Sequence, residues 1–587
     1  MLDPDKARRG NLSAGPALSR AQTGQPTTVV RRMWTPGQVW WRPGGFVRPA
    51  PRTPLAERLV PPFPAEPFRG AGWILPLVIT ALGGFLRFWN LGQPGQVIFD
   101  ETYYAKDAWS MYVYGWEHSW QDSSVADPAL AGSGSGRPGA HGTALFTCLP
   151  QCPEFVVHPP AGKWIIGLGE QVWGLNPVGW RLMDAVLGTL AIYVLARTAR
   201  RMLRSTLCGC IAGLLLSFDG LSFVMARTGL LDGIQMFFVL AAFSCLVVDR
   251  DRSRARLAAW AVRQEPVPLP RRESGPRLGL RPWRLLAGVC LGLATATKWN
   301  GIFFTLAFLM LTVLWDRGAR RAAGVARPTR AILRCDAGWA IAALPATMIA
   351  VFLASYTGWF LDTANGGGWD RFWAQANPPQ GFPDLPMSRT LTAWIPDPLR
   401  SLWFYLHDQY HSGVNITTPH PYMSNPWSWM VVGRPVAFYV GKSGCSPSAG
   451  VCSEVLALGN PVLWWFATAA TFHLAWRWLA RRDWRAGAIL LGIAAGLLPW
   501  MHYAQRTIFS FYAVVFAPFV VLAATMSIGA IIGRADANPV RRTWGAAAGG
   551  AVVVMVVVVF GYFYPIYTGQ TIPYSTWLQH MWLPSWV

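Results

Sequence analysis

Two neighbouring stretches, GWILPLVITALGGFLRFWN at 72–90 and VIFDETYYAKDAWSMYVYGWE at 97–117, decide how this chain folds. The first carries a single charge, Arg87, and has the ~20-residue length that crosses a ~30 Å hydrocarbon core as a helix. The second starts with an apolar run, Val97-Ile98-Phe99, that leads straight into the acidic pair Asp100-Glu101. Beyond the pair, Tyr104, Ala108, Met111 and Tyr112 recur at helical spacing. Tyr and Trp favour the headgroup level, so this stretch suits a helix lying in the membrane interface. A membrane span that delivers two carboxylates to its own mouth is the unit from which the rest is read.

The remainder of the 587 residues agrees with a membrane chain. Charged residues make up 14% against ~25% in soluble domains, and 52% are hydrophobic. The 33 Trp, 30 Phe and 16 Tyr are too much apolar surface to leave in water, which excludes disorder for most of the chain. Ten further candidate spans follow the first, near 179–196, 207–224, 229–248, 285–297, 301–315, 337–359, 459–476, 486–502, 508–532 and 545–564. The expected fold is therefore an all-α polytopic membrane protein with about eleven transmembrane helices. A net charge of +22 invites a nucleic-acid reading, but the positions of the charges argue against it. Segments on one side of the alternating spans hold 38 Lys and Arg; those on the other hold 11, although they include the two longest loops. Cytoplasmic loops retain positive charge. The expected topology places the N-terminus in the cytoplasm and the C-terminus outside, in the plasma membrane, with no nucleic-acid partner.

Residues 1–70 are rich in Pro, Arg, Gly and Ser and lack an apolar h-region, which reads as a disordered basic cytoplasmic tail ahead of a membrane domain at 71–587. The Arg- and Pro-rich linker 249–284 suits contact with anionic headgroups. Two long extracytoplasmic loops, 91–178 and 360–458, are expected to carry function. The first holds the acidic pair, a Gly/Ser/Pro-rich bulge at 131–142, and HPPAGKWIIGLGE at 158–170, whose prolines suit a helix start. Cys148, Cys152, Cys445 and Cys452 also fall in these loops, where an oxidising exterior permits disulfides. Cys445–Cys452 closes a Ser/Gly-rich hairpin and is the favoured bridge; cross-pairing of the loops is the alternative. Neither pair has the partners of a zinc site.

Several charged groups could carry chemistry. Asp100 and Glu101 suit a general base for a hydroxyl nucleophile, or simply a solvated pair capping the next helix. His158 and Lys163 offer a hydrogen-bond donor and a cation, or a turn with a snorkelling lysine. Arg227 and Asp232 sit in MARTGLLDG, Lys298 in TKWNG and Arg506 in HYAQRTIF. Each of these cations is the lone Lys or Arg of a short outer connection, where the charge bias disfavours it. Three such cations would suit an anionic lipid headgroup, although each alone could be an interfacial anchor. His407, His411 and His420 favour a structural or acceptor-side role over metal binding, and Asn415-Ile416-Thr417 is a weak glycosylation triplet. No P-loop or dinucleotide fingerprint is present, which argues against ATP-driven transport and nicotinamide chemistry.

Taken together, FDETYYAKDAW, HPPAGKWIIGLGE, ARTGLLDG, ATKWNG and NPVLWW resemble the protein O-mannosyltransferases from about residue 72 to the end. MSNPWSWMVVGRPVAFY, with no β-rich inserted domain in the second long loop, looks like the actinobacterial branch. The resemblance implies a GT-C fold with interfacial helices in the first outer loop and an active site on the outer face. It implies a polyprenyl-phosphate mannose donor that enters from the membrane lipids, and a secreted polypeptide as acceptor, with action beside a translocon left open. By carry-over, Asp100 is the catalytic base and Glu101 positions acceptor or base. Arg227, Lys298 and Arg506 bind the donor phosphate, while His158, Lys163 and Asp232 shape the site. The sugar already bears a phosphate leaving group, so no metal or other cofactor is expected, and attack opposite that group would invert the anomeric centre. Two alternatives stand beside this reading. A related GT-C enzyme acting on a lipid or cell-wall glycan would share the donor machinery and differ in its outer loops. A secondary transporter would need paired halves and polar groups at mid-membrane.

Overall fold

The computed structural model describes residues 57, 59–63, 66, 68–118, 157–262, 275–361, 369, 394–534 and 536–587. Most of the expected N-terminal tail, the bulge at 131–142, Cys148, Cys152 and most of 362–393 lie outside the described residues.

The chain is mostly helical. Helix α1 (Ala71–Phe88) is followed by two shorter helices of the first long loop, α2 (Glu101–Tyr114) and α3 (Ala161–Trp173). Next come α4 (Pro177–Leu203), α5 (Thr206–Ser217), α6 (Gly220–Met225), α7 (Leu231–Val262), α8 (Pro282–Thr297) and α9 (Gly301–Ala322). Helical residues 337–355 follow, with a π-turn at Ala342–Ala346 that contains Pro345. The second long loop supplies α10 (Asp397–Val414); then come α11 (Pro461–Arg481), α12 (Trp484–His502), α13 (Ala517–Ile532), α14 (Pro539–Thr568) and α15 (Tyr574–His580). The starts follow local chemistry. Asn176 accepts from the N–H groups of Val178 and Gly179 ahead of α4, with Pro177 in the first turn, where a missing N–H costs nothing.

Helical structure occurs at all eleven expected spans, and eight helical segments among the described residues are long and apolar enough to cross a bilayer. The span expected at 207–224 is broken. Helix α5 stops at Ser217, and Asp219 caps α6 by accepting from Ser222 N at 3.0 Å. Asp219 also accepts from Asn460 N at 3.1 Å and Trp464 Nε1 at 2.8 Å, and Asn460 Nδ2 donates to Phe218 O and Val556 O. A buried carboxylate that recruits three donors outcompetes helix continuation; it ties α6 to the start of α11, and Asn460 carries the link on to α14.

The expected helical membrane fold is observed, with three short strands added to it. Strands β1 (Val436–Val440), β2 (Val451–Ala457) and β3 (Thr571–Pro573) form a small antiparallel sheet in that order, with Val436 opposite Ala457 and Cys452 opposite Ile572. β3 comes from the C-terminal segment, more than a hundred residues beyond β2, so no local pattern announced the pairing. A disulfide joins Cys445 to Cys452 across the hairpin. The C-terminal segment is fastened further by Trp577 Nε1 donating to Glu454 at 2.6 Å and Trp586 Nε1 donating to Val432 O at 2.8 Å.

At the end of the helices remote from this sheet, Arg281 and Arg284 bridge Asp249 and Asp316 in a buried quartet, with contacts of 2.6 to 3.2 Å that lock α7, α8 and α9 together. Part of the positive excess in the linker 249–284 is thus neutralised inside the protein.

Candidate active site

The approach to Asp100 is set by its neighbours. Phe99 adopts φ 49°, the left-handed region that costs an L-residue about 1–2 kcal/mol. It is held there by stacking on Phe438 of β1, ring centres 4.6 Å apart, with the edge of Phe511 at 5.4 Å. Glu101, fully buried, accepts from Arg181 Nε at 2.7 Å and Nη2 at 2.8 Å, and from the backbone N–H groups of Ile98 and Gly229, each at 2.9 Å. Arg181 in turn donates to the carbonyls of Leu91, Pro94 and Gln96, so loop 91–98 is wrapped around one guanidinium. Helix α2 therefore begins at a fixed point. Asp100, one residue earlier, has no hydrogen-bond partner for its carboxylate among the described residues.

Asp100 faces a cavity of about 680 Å³ that also takes in His158, Lys163, Lys298 and Arg506. Its lining also includes Tyr103, Tyr104, Trp299, Asn300, Tyr410 and Tyr503. Five charged or titratable residues singled out from the sequence, separated by up to about four hundred positions, thus share one chamber. Burial pushes the Asp100 carboxyl up to about 6; Lys298 pulls it down and Asp232 pushes it up. A carboxyl so tuned is a base near neutral pH. The His158 imidazole is held well below its usual range by burial and by the charges of Lys298, Lys163 and Arg506, so it is a neutral donor or acceptor.

The cations divide by what they already hold. Lys298 Nζ sits 2.7 Å from Asp232, outside the cavity lining, and 4.8 Å from the centre of the Tyr512 ring. Lys163 is bound by Glu117 at 2.7 Å and Asp107 at 3.2 Å, with all three side chains buried. Burial alone would lower the Lys163 ammonium, and Glu117 and Asp107 more than offset it, so its pKa is raised. Arg506 has no carboxylate partner among the described residues; its guanidinium lies 5.9 Å from the Trp500 ring centre. Of the three cations on the cavity wall, Arg506 has the most charge left for a ligand.

Two residues singled out from the sequence lie off the cavity lining. Arg227 does not reach the cavity lining. It donates to Arg87 O at 2.8 Å, Trp89 O at 2.6 Å and Asn90 O at 2.9 Å, spending its guanidinium on the carbonyls at the end of α1. A helix C-terminus carries partial negative charge and unpaired carbonyls, which is why an arginine belongs there. Glu101 likewise does not line the cavity; its contribution is to seat the turn that carries Asp100. His407 and His411 lie side by side on α10, ring centres 4.3 Å apart, away from the cavity lining, and His420 is also off it. Among the described residues no group of three His, Cys, Asp or Glu side chains is placed to hold a metal. Arg181, Asp107 and Glu117 were missed from the sequence. Arg181 had a usable signal: an arginine inside an apolar span is costly unless it has a task.

The chain is similar to known proteins along most of its length. Residues 77–322 match the family model described as dolichyl-phosphate-mannose-protein mannosyltransferase, and residues 401–586 match the C-terminal four-transmembrane region of protein-O-mannosyltransferase. A polyprenol-phosphate-mannose–protein mannosyltransferase of Mycolicibacterium smegmatis is 39% identical over 554 residues, covering 91% of this chain and 98% of that one. The protein of that description from Mycobacterium tuberculosis is 38% identical over 556 residues, covering 92% and 95%. The chain belongs to the protein mannosyltransferase family. The first family match spans Asp100 to Lys298 and the second contains Arg506, so this mannosyltransferase draws its cavity from both matched regions. Its fold also matches one chain of the Saccharomyces cerevisiae Pmt1–Pmt2 complex bound to the sugar donor, at a TM-score of 0.65 and 14% identity over 91% of this chain and 94% of that one. That likeness places the mannosyltransferase in the expected GT-C fold.

Proposed function

We propose that this enzyme transfers mannose from polyprenyl-phosphate mannose to a Ser or Thr hydroxyl of a secreted polypeptide, with inversion, on the extracytoplasmic face of the plasma membrane. The observation that carries the reading is that Asp100 and Arg506 share one cavity while neither has a bonded counter-ion among the described residues. Asp100 takes the hydroxyl proton as the oxygen forms its bond to C1 of mannose. The bond from C1 to the phosphate oxygen breaks, and polyprenyl phosphate leaves with the electron pair. Arg506, with Lys298 behind it, stabilises the charge that gathers on the departing phosphate. Attack from the face opposite the phosphate turns a β-linked donor into an α-mannoside.

The charge bias of the loops supports an outer location, as does the disulfide, which belongs to an oxidising compartment and sits on the sheet whose Phe438 stacks against Phe99. Ile302, Tyr103 and Ile416 line the cavity and are exposed, which suits a lipid chain entering from the bilayer. The reacting hydroxyl has to reach a recessed carboxylate, so an unfolded segment, such as one leaving a translocon, is the fitting acceptor. The sugar donor already carries its leaving group, and the proposal includes no cofactor.

The test is mannose transfer from polyprenyl-phosphate mannose by wild type and Asp100→Asn in proteoliposomes, with Ser/Thr-rich peptide and lipid acceptors compared. Transfer to peptide by wild type and its loss in the variant, with donor binding retained, support the reading. Transfer to lipid acceptors alone would replace the acceptor class, and near-normal turnover by the variant would remove Asp100 as the base.

A further inference from the structure

The lining of the cavity that holds Asp100 contains a turn whose side-chain polar groups have no partner. Trp299 and Asn300 lie between α8 and α9, and both line the cavity. Trp299 Nε1 and Asn300 Oδ1 are buried without a hydrogen-bond partner, and His158 Nδ1 and Arg506 Nε on the same cavity are in the same condition. Buried polar atoms are nearly always paired, because leaving one unpaired forfeits its hydration with no return. Four on the lining of one chamber form a cluster that a ligand carrying both hydroxyls and a phosphate would satisfy. Asn300 adds a second observation: it stands at the N-cap of α9, where an Asn side chain ordinarily accepts from the first-turn N–H groups, yet it makes no such bond.

The turn is also fixed from behind. Gln235 Nε2 donates to Ala294 O at 3.0 Å and Lys298 O at 2.9 Å, and Lys298 is tied to Asp232. A Cβ at Gly301 would lie 2.6 Å from Thr295 N, so this backbone approach admits glycine alone. The Trp299 ring rests on Phe352, centres 5.9 Å apart. Held backbone with unspent side-chain polarity is what a recognition element requires, since the cost of ordering has been met before the ligand arrives. The terminal torsion of an amide is soft, so Asn300 can turn either its oxygen or its NH₂ toward a hydroxyl without moving the chain.

We infer that Trp299 and Asn300, with His158, form the edge that recognises the sugar hydroxyls of the donor and so set which hexose is transferred. This rests on the proposed mannosyl transfer and adds to it the residues that read the sugar, separate from those that hold the phosphate. Lys298 and Arg506 provide for the phosphate, and the indole N–H, the amide and the neutral imidazole provide the donors and acceptors that a hexose needs.

The experiment measures binding of three lipids, polyprenyl phosphate, polyprenyl-phosphate mannose and polyprenyl-phosphate glucose, to full-length wild type, Trp299→Phe and Asn300→Ala in nanodiscs, together with transfer from the two sugar lipids. Trp299→Phe removes little beyond the N–H, and Asn300→Ala removes the amide. Each is expected to weaken the mannose lipid about tenfold, leave bare polyprenyl phosphate within twofold of wild type, and narrow the preference for mannose over glucose. The bare lipid serves as the control for folding. If a variant loses it as well, the other variant decides; if both lose it, the wild-type preference for the mannose lipid over the bare lipid decides, and no preference overturns the inference. Unchanged mannose-to-bare and mannose-to-glucose ratios in a folded variant also overturn it. Absence of transfer by wild type instead sinks the proposed function, so the two failures are told apart.

Discussion

Arg181 grips Glu101 through two contacts of 2.7 and 2.8 Å while both side chains are wholly buried, and the loop from Leu91 to Gln96 closes over the same guanidinium. The acidic pair of the sequence therefore divides its labour: Glu101 is spent on structure, and Asp100 is left free. Breaking a buried pair from one side strands the other charge, at a cost of about 3–5 kcal/mol. Arg181→Met is expected to lower the thermal midpoint sharply and to reduce turnover in whatever folds. The double variant Arg181→Met/Glu101→Gln should recover part of the stability, because no charge is left unpaired, and less of the activity, because the loop is no longer pinned. Thermal unfolding in detergent and a double-mutant cycle measure this. Additive losses would show that the pair does not act as a unit.

The Asp100 carboxyl, raised to about 6 by burial, has to be ionised to accept a proton. Turnover is therefore expected to rise about tenfold per pH unit below 6 and to level off above it. Lys298 opposes the rise by favouring the charged carboxylate, so Lys298→Met should move the profile to higher pH. A pH–rate profile of kcat/KM checks both the position and the direction. A profile in the variant that stays in place or moves to lower pH would show that Lys298 does not act on this carboxyl.

Arg506 and Arg227 are equivalent in the sequence, each a lone cation in a short outer connection, and different in the structure. A charge-assisted hydrogen bond contributes about 1.5–3 kcal/mol, so Arg506→Ala should weaken polyprenyl-phosphate binding by about 10- to 150-fold. Arg227→Ala should leave lipid affinity near wild type and cost stability, since it uncovers the carbonyls of Arg87, Trp89 and Asn90 at the end of α1. Lipid titration against both purified variants separates the roles. A matched loss of affinity in the two would return Arg227 to the donor site.

That contrast marks how far sequence alone reaches. Apolar runs give helix positions, because a bilayer imposes a length and forbids charge. The motifs single out residues that come together, since Asp100, His158, Lys163, Lys298 and Arg506 line one cavity. What sequence leaves out is pairing. Whether a lone cation lines an open cavity, as Arg506 does, or meets a row of carbonyls, as Arg227 does, depends on residues far away in the sequence. The interrupted helix at Ser217 is hidden for a similar reason. Asp219 looks like one polar residue in an apolar run until Asn460 and Trp464 arrive to bond it. The small sheet needed β3 from beyond α14.

Lys163 of the HPPAGK stretch tests this distinction further. Its place in a motif suggests a ligand contact, yet its ammonium is engaged by Glu117 and Asp107. Both carboxyls are raised by burial, and Lys163 opposes that rise by favouring their charged forms. Gly162 next to it sets α3 against the junction of α7 and α8, where a Cβ would come within 2.7 Å of Leu231 and Thr297. Lys163→Met should therefore destabilise the fold by about 3–5 kcal/mol, by stranding two buried carboxyls, rather than weaken donor binding alone. Adding Glu117→Gln and Asp107→Asn should restore much of that loss, which a direct phosphate role for Lys163 would not allow. Thermal midpoint and polyprenyl-phosphate affinity, measured on the single and triple variants, distinguish the two. If stability is untouched in the single variant while affinity falls, Lys163 belongs with Arg506 as a ligand to the phosphate.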